Sequence, residues 1–139
     1  MQHQAPLNIL LIEDDTIEIM KLNRTIQSLQ LNHKIVEAKN GEEAFKILEQ
    51  KDKLPDIILL DLNMPIINGI EFLSIMKGQD SLKHIPTIIL TTSDNNKDLL
   101  QCYKLGIAGY ILKPLKYNDY AAKIKKLLDY WSINKLIKN

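Results

Sequence analysis

Pro55-Asp56-Ile57-Ile58-Leu59-Leu60-Asp61 sets four consecutive aliphatic residues between two aspartates. An apolar run this short, closed abruptly by a charge, fits a strand covered on both faces; a strand with one wet face would alternate. Similar runs occupy residues 7–12, 34–38, 85–90 and 109–112. Between them the apolar period changes. Ile19, Leu22, Ile26 and Leu29 recur at steps of three and four, the spacing of a buried helical stripe, with Asp15 or Thr16 placed to cap its start. Asn40-Gly41 opens a helix with Ala44, Phe45, Ile47 and Leu48 inward, and another carries Phe72, Leu73, Ile75 and Met76. A fourth is expected over residues 94–105, stopped by Gly106, and a fifth over about 117–136.

Strand followed by helix, repeated along the chain, requires long crossovers and hence parallel strands with helices on both faces. The fold class is α/β, a doubly wound five-stranded parallel sheet, and the flavodoxin-like order 2-1-3-4-5 would make strands one and three central neighbours. A single domain over 1–139 is expected, with its core at about 7–128 and a C-terminal extension at 129–139.

Composition narrows the classes further. Hydrophobic residues at 45% and charged residues at 25% are those of an ordinary globular chain, and a net charge of +1 supplies no field for gripping nucleic acid or an acidic membrane. The lysines of the last helix lack interleaved aromatics and read as a solvated face. No apolar run approaches the roughly 20 residues of a membrane span, and the single Cys102 permits neither an internal disulfide nor a cysteine zinc site. A cytoplasmic location is expected. Cys102 reads as a packing residue, and His3, His33 and His84 as solvated or locally bonded.

In such sheets, ligands bind at the carboxyl ends of the strands where strand order reverses. Strand one ends in Glu13-Asp14-Asp15, strand three in Asp61, strand four in Thr91 and strand five in Lys113-Pro114. Like-charged pairs of carboxylates a few Å apart cost roughly 3 to 4 kcal/mol at an effective dielectric near 20, so the cluster needs a positive partner. A hard divalent cation on oxygen ligands supplies one, Mg²⁺ above all with Mn²⁺ as a substitute, and Lys113 supplies another as a mobile point charge. Cation and ammonium together would neutralise the oxygens of a transferring phosphoryl group. Asp61 stands alone at the end of the most apolar strand and is the preferred nucleophile, while Glu13 and Asp14 form a pair suited to metal.

These residues carry a close resemblance. Glu13-Asp14, Asp61 in Leu60-Asp61-Leu62-Asn63-Met64-Pro65, Gly69, Thr91 and Lys113-Pro114 together resemble the receiver domain of two-component response regulators, over roughly residues 7–128. The resemblance implies that Asp61 is the phosphoacceptor, charged by a sensor histidine kinase or a phosphotransfer protein. It implies metal ligation by Asp14, Asp61 and the backbone carbonyl of Asn63, with Glu13 acting through water. Lys113 would contact the phosphoryl oxygens ahead of a cis peptide to Pro114, and Thr91 would swing its hydroxyl onto the phosphoryl group. Tyr110 falls where the family keeps an aromatic that turns inward as that hydroxyl moves. The face of helix four, strand five and helix five would then change shape for a downstream protein target, or the group would pass onward. A homodimer through that face is a further implication, and neither nucleic acid nor membrane is an expected direct partner. The run Leu90-Thr91-Thr92-Ser93-Asp94 with Tyr130-Trp131 is also similar to stand-alone receivers associated with phytochrome-type sensor kinases.

Three other functions compete. Aspartyl-nucleophile phosphatases place a second Asp two residues after the nucleophile as general acid, and Asn63 occupies that position here. The expectation is therefore a signalling phosphoacceptor, not a turnover enzyme. A flavin-binding homologue of the fold would need a phosphate cradle after strand one, where Glu13-Asp14-Asp15 would repel it. A receiver-like module without phosphorylation usually lacks one of the acidic, Asp or Lys positions, all of which are present.

Overall fold

The computed structural model describes residues 6–137; His3 and the last two residues of the C-terminal extension lie outside them. The elements run β1 (Asn8–Ile12), α1 (Thr16–Ser28), β2 (Lys34–Ala38), α2 (Gly41–Leu48), β3 (Ile57–Leu60), α3 (Gly69–Lys77), β4 (Thr87–Thr91), α4 (Asn96–Lys104), β5 (Gly109–Leu112) and α5 (Tyr117–Ser132). All pairings are parallel and the sheet order is β2-β1-β3-β4-β5.

Strand periodicity splits the core in two. Leu10, Ile12, Ile58, Leu60 and Ile89 face a layer built with Ala44, Leu48, Phe72, Met76 and Cys102, from α2, α3 and α4. Ile9, Leu11, Ile57, Leu59 and Ile88 face the other layer, with Ile19, Leu22, Tyr120 and Ile124 from α1 and α5. Alternate residues of one strand thus feed opposite cores, which is why β3 reads as an unbroken apolar run.

Short polar residues set the helix starts. Asp15, Asn40, Asn68 and Asn95 each accept a backbone N–H from the first turn of α1, α2, α3 and α4, at 2.8–2.9 Å. Asn95 delays α4 past the expected residue 94, and Gly106, at φ 93°, follows its end. β3 starts at Ile57 because Asp56 turns its carboxylate to the Asn8 N–H at 2.8 Å and Pro55 has no N–H to give. β4 begins after Pro86 and runs to Thr91, which pairs with Leu112. Two apolar positions differ from expectation. Ile75 is 46% exposed, lying off the stripe of Phe72, Leu73 and Met76, and Leu29 caps α1 half-buried. α5 ends at Ser132, short of the expected residue 136.

The β3–α3 loop is tight. A Cβ on Gly69 would lie 2.5 Å from the Asp61 carbonyl oxygen and 2.6 Å from Leu62 Cα, so only glycine lets α3 start against the end of β3. Ile66 in the same loop has φ 71°, a conformation costly for a β-branched residue, with its side chain exposed. Gly69→Ala is expected to destabilise the fold by about 1–3 kcal/mol through overpacking. Ile66→Asn is expected to stabilise it by about 1 kcal/mol by relieving the backbone. Thermal melts of both variants against the parent read the opposite signs.

Candidate functional site

Backbone pairing carries the strands to the cleft. The Asp61 N–H donates to Ile12 at 3.0 Å, the Glu13 N–H to Ala38 at 2.9 Å and the Lys113 N–H to Thr91 at 2.8 Å. The side chains that follow therefore leave the sheet at one edge. Glu13, Asp14, Asp61, Asn63, Lys113 and Pro114 line a single cleft. Glu13, Asp61 and Thr91 are buried, while Asp14 and Asn63 are exposed at its mouth.

The Lys113 Nζ donates to Glu13 Oε1 at 2.6 Å and lies 3.0 Å from Glu18 Oε1. Its side chain is 6% exposed. Burial alone would pull the ammonium's pKa down, but the bond and field of Glu13 and then Glu18 outweigh it, and the net shift is upward. Burial raises Asp61 above the ordinary carboxylate range, against the lowering field of Lys113 and hydrogen bonds from Thr91, Glu13 and the Asn63 N–H. Burial likewise pushes Glu13 up to about 7, despite its bond to Lys113.

Thr91 connects the site to the neighbouring elements. Its Oγ1 accepts the Ser93 N–H at 3.2 Å, Ser93 Oγ donates to Asp98 Oδ2 on α4 at 3.1 Å, and the Tyr110 hydroxyl donates to the Ser93 carbonyl at 2.8 Å. Tyr110 is half-buried against the α3–α4 core layer. The Lys113–Pro114 bond is trans, against the cis expectation. Trans is the lower-energy isomer by about 0.5–1 kcal/mol, and from it Lys113 already reaches Glu13.

The donor set suits a hard divalent cation. Glu13, Asp14 and Asp61 each offer a carboxylate oxygen, and the three lie within 4.8 Å of one another. These are the oxygen ligands Mg²⁺ and Mn²⁺ prefer. Glu18 and Ser93 were not singled out by sequence. Neither carries a sequence signal of its role: Glu18 stands in the first turn of α1, where an acidic residue is common, and Ser93 follows β4. Cys102 is fully buried in the core, and His33 Nδ1 accepts the Leu7 N–H at 2.9 Å, both away from the cleft.

Residues 9–125 match the response regulator receiver domain. The chain belongs to that family. As a receiver it is 30% identical over 135 residues to the response regulator Rcp1 of Synechocystis, covering 94% of this chain and 92% of that one. It is 31% identical over 135 residues to FilR2 of Methanothrix harundinacea, named a probable methanogenesis regulatory protein, covering 94% and 87%. Among solved structures, the phosphorylated cyanobacterial phytochrome response regulator RcpA superposes at TM-score 0.87 with 32% identity, covering 95% of this chain and 99% of that one. The Mn²⁺-bound form of Rcp1 superposes at 0.86 with 29% identity, covering 95% of this chain and 99% of that one. This receiver is thus a module of two-component signalling, of a family that binds divalent metal, and among the described residues no helix is long and apolar enough to cross a membrane.

Burying the Glu13 and Asp61 carboxyls costs the fold stability once they ionise. Glu13 and Asp61 hold protons more tightly folded than unfolded, so the cluster is tolerated below their unfolded values and weakens the fold as pH rises through about 7. Asp61→Asn is expected to raise the melting temperature by about 3–6 °C at pH 8 without divalent metal. The gain should shrink at pH 5, where calorimetry at the two pH values checks it.

Proposed function

We propose that this receiver accepts a phosphoryl group on Asp61 from the phosphohistidine of a sensor kinase or phosphotransfer protein, as a signalling phosphoacceptor without turnover of small substrates. The observation that carries the reading is the convergence of Glu13, Asp14, Thr91 and Lys113 on the buried Asp61. Asp14, Asp61 and the Asn63 carbonyl would hold Mg²⁺, or Mn²⁺ in its place, with Glu13 acting through water. The bound cation neutralises phosphoryl oxygens during transfer. Asp61 supplies the attacking oxygen, Lys113 a point charge for the transferred group, and Thr91, at the end of the neighbouring strand β4, a hydroxyl donor.

Phosphorylation adds about −1.5 to −2 charge and strong acceptor oxygens beside Thr91. A Thr91 hydroxyl drawn onto them shifts Ser93, and through Ser93 both α4 and Tyr110 on β5. The bonds to Asp98 and Tyr110 support the reading that the α4–β5–α5 face reports the modified state to a downstream protein or a second copy of the chain. Likeness to RcpA, a phytochrome response regulator, favours a phytochrome-type kinase as the input.

Incubation with acetyl phosphate and Mg²⁺ followed by intact-mass measurement should show a gain of one phosphoryl group. A gain that survives Asp61→Asn, or none in the parent, defeats the proposal. Ser93→Ala is expected to retain the mass gain yet lose most of the phosphorylation-dependent change in amide exchange over residues 96–104, read by hydrogen–deuterium exchange.

A further inference from the structure

Glu18 bridges two cations in the cleft. Its Oε1 lies 3.0 Å from Lys113 Nζ and its Oε2 3.5 Å from Lys21 Nζ. Lys21 in turn sits 4.2 Å above the ring of Tyr120, which is buried beneath α1. Neither the metal ligands nor the Thr91–Tyr110 path accounts for Glu18, although it holds the lysine on which transfer depends.

The direction of its pull follows from where Lys113 spends its bonds. The ammonium donates to Glu13 and pairs with Glu18, both on the side of β1 and α1. Among the described residues the ion pairs of Lys113 are with Glu13 and Glu18, while Asp61 feels the ammonium through its field. Lys113 therefore rests toward α1. The Glu18 side chain is 22% exposed, so solvent screens the pair less than it screens an open surface pair.

On the reading that Asp61 takes the phosphoryl group, we propose that Glu18 is a positioning residue, a resting-state anchor from which Lys113 must turn before it can serve a phosphoryl oxygen. In the transfer, an Asp61 oxygen bonds to phosphorus as the bond from phosphorus to the donor's leaving atom breaks, the imidazole nitrogen of a phosphohistidine or the acetate oxygen of acetyl phosphate. The leaving group departs with the electron pair, and negative charge remains on the transferred oxygens. Lys113 offsets that charge only when free of Glu18, so the anchor slows phosphorylation. Lys21 weakens the anchor by sharing the same carboxylate.

The test is the rate of mass gain with acetyl phosphate and Mg²⁺ in the full chain and in Glu18→Gln, Glu18→Asp and Lys21→Met. Beside it, the Lys113 ammonium signal is followed by NMR in metal-free protein. Glu18→Gln is expected to react about two- to fivefold faster, the scale of a partly exposed ion pair, and to broaden the Lys113 signal through faster exchange with water. Glu18→Asp keeps the charge but falls one methylene short, and should behave like Glu18→Gln. Lys21→Met leaves Glu18 to Lys113 alone and should react more slowly than the parent. An unchanged or slower Glu18→Gln overturns the anchor, as does a Glu18→Asp that matches the parent, because charge and not contact would then be responsible. A parent that gains no mass defeats the phosphoacceptor reading instead, and the Lys113 signal still decides whether Glu18 holds the ammonium.

Discussion

Glu13 and Lys113, 100 residues apart in the chain, meet at 2.6 Å over the carboxyl ends of the strands. With β3 and β4 standing between β1 and β5, their bond spans most of the sheet's width. It is also the main internal compensation for Glu13, Asp61 and Glu18, whose carboxylates would otherwise face each other in a poorly hydrated cleft. A buried ion pair of this kind adds little net stability, because desolvation consumes much of the attraction. What it does is hold three acids and one base in a fixed relation, leaving a deficit of positive charge that a divalent cation would offset. The surrounding architecture serves that deficit: two buried cores keep the strand ends in register, and Asp15 caps α1 so that Glu18 points back over the cleft.

Most of this edge could be read from residue order. A run such as Ile57–Leu60 can only be a two-sided strand, and a parallel sheet sends every strand's carboxyl end the same way, so Glu13, Asp61, Thr91 and Lys113 had to meet once the strands were located. Strand and helix limits were less legible where side chains competed with the backbone. The Asp56 carboxylate takes the Asn8 N–H at the start of β3, and Asn95 takes the start of α4 from Asp94. Ile75 shows the limit of counting apolar residues, since a helix of nine residues buries a stripe and not every hydrophobe in it.

The two contributors missed by sequence were hidden for different reasons. Glu18 looks like any acidic residue in a first helical turn, where it complements the macrodipole, and only the fold shows that this turn overhangs Lys113. Ser93 acts through its backbone as much as its hydroxyl, giving an N–H to Thr91 and a carbonyl to Tyr110. Main-chain roles leave no trace in residue identity. The trans Lys113–Pro114 bond belongs to the same class, since proline permits either isomer and the surrounding contacts choose.

The asparagine caps carry a chemical liability. Asn40 and Asn68 are each followed by glycine, the neighbour that least obstructs attack of the next backbone nitrogen on the asparagine side chain. While the helices stand, both side-chain oxygens are occupied by the Glu43 and Glu71 N–H groups, and both glycines are held in helical backbone. Unfolding releases them to cyclise and deamidate, and heat favours that loss. Hydrolysis to aspartate would still leave a competent cap. Hydrolysis to isoaspartate inserts a methylene into the main chain immediately before Gly69, where no spare atom fits against the Asp61 carbonyl. Chemical ageing of the unfolded chain would thus be recorded beside the proposed phosphoacceptor.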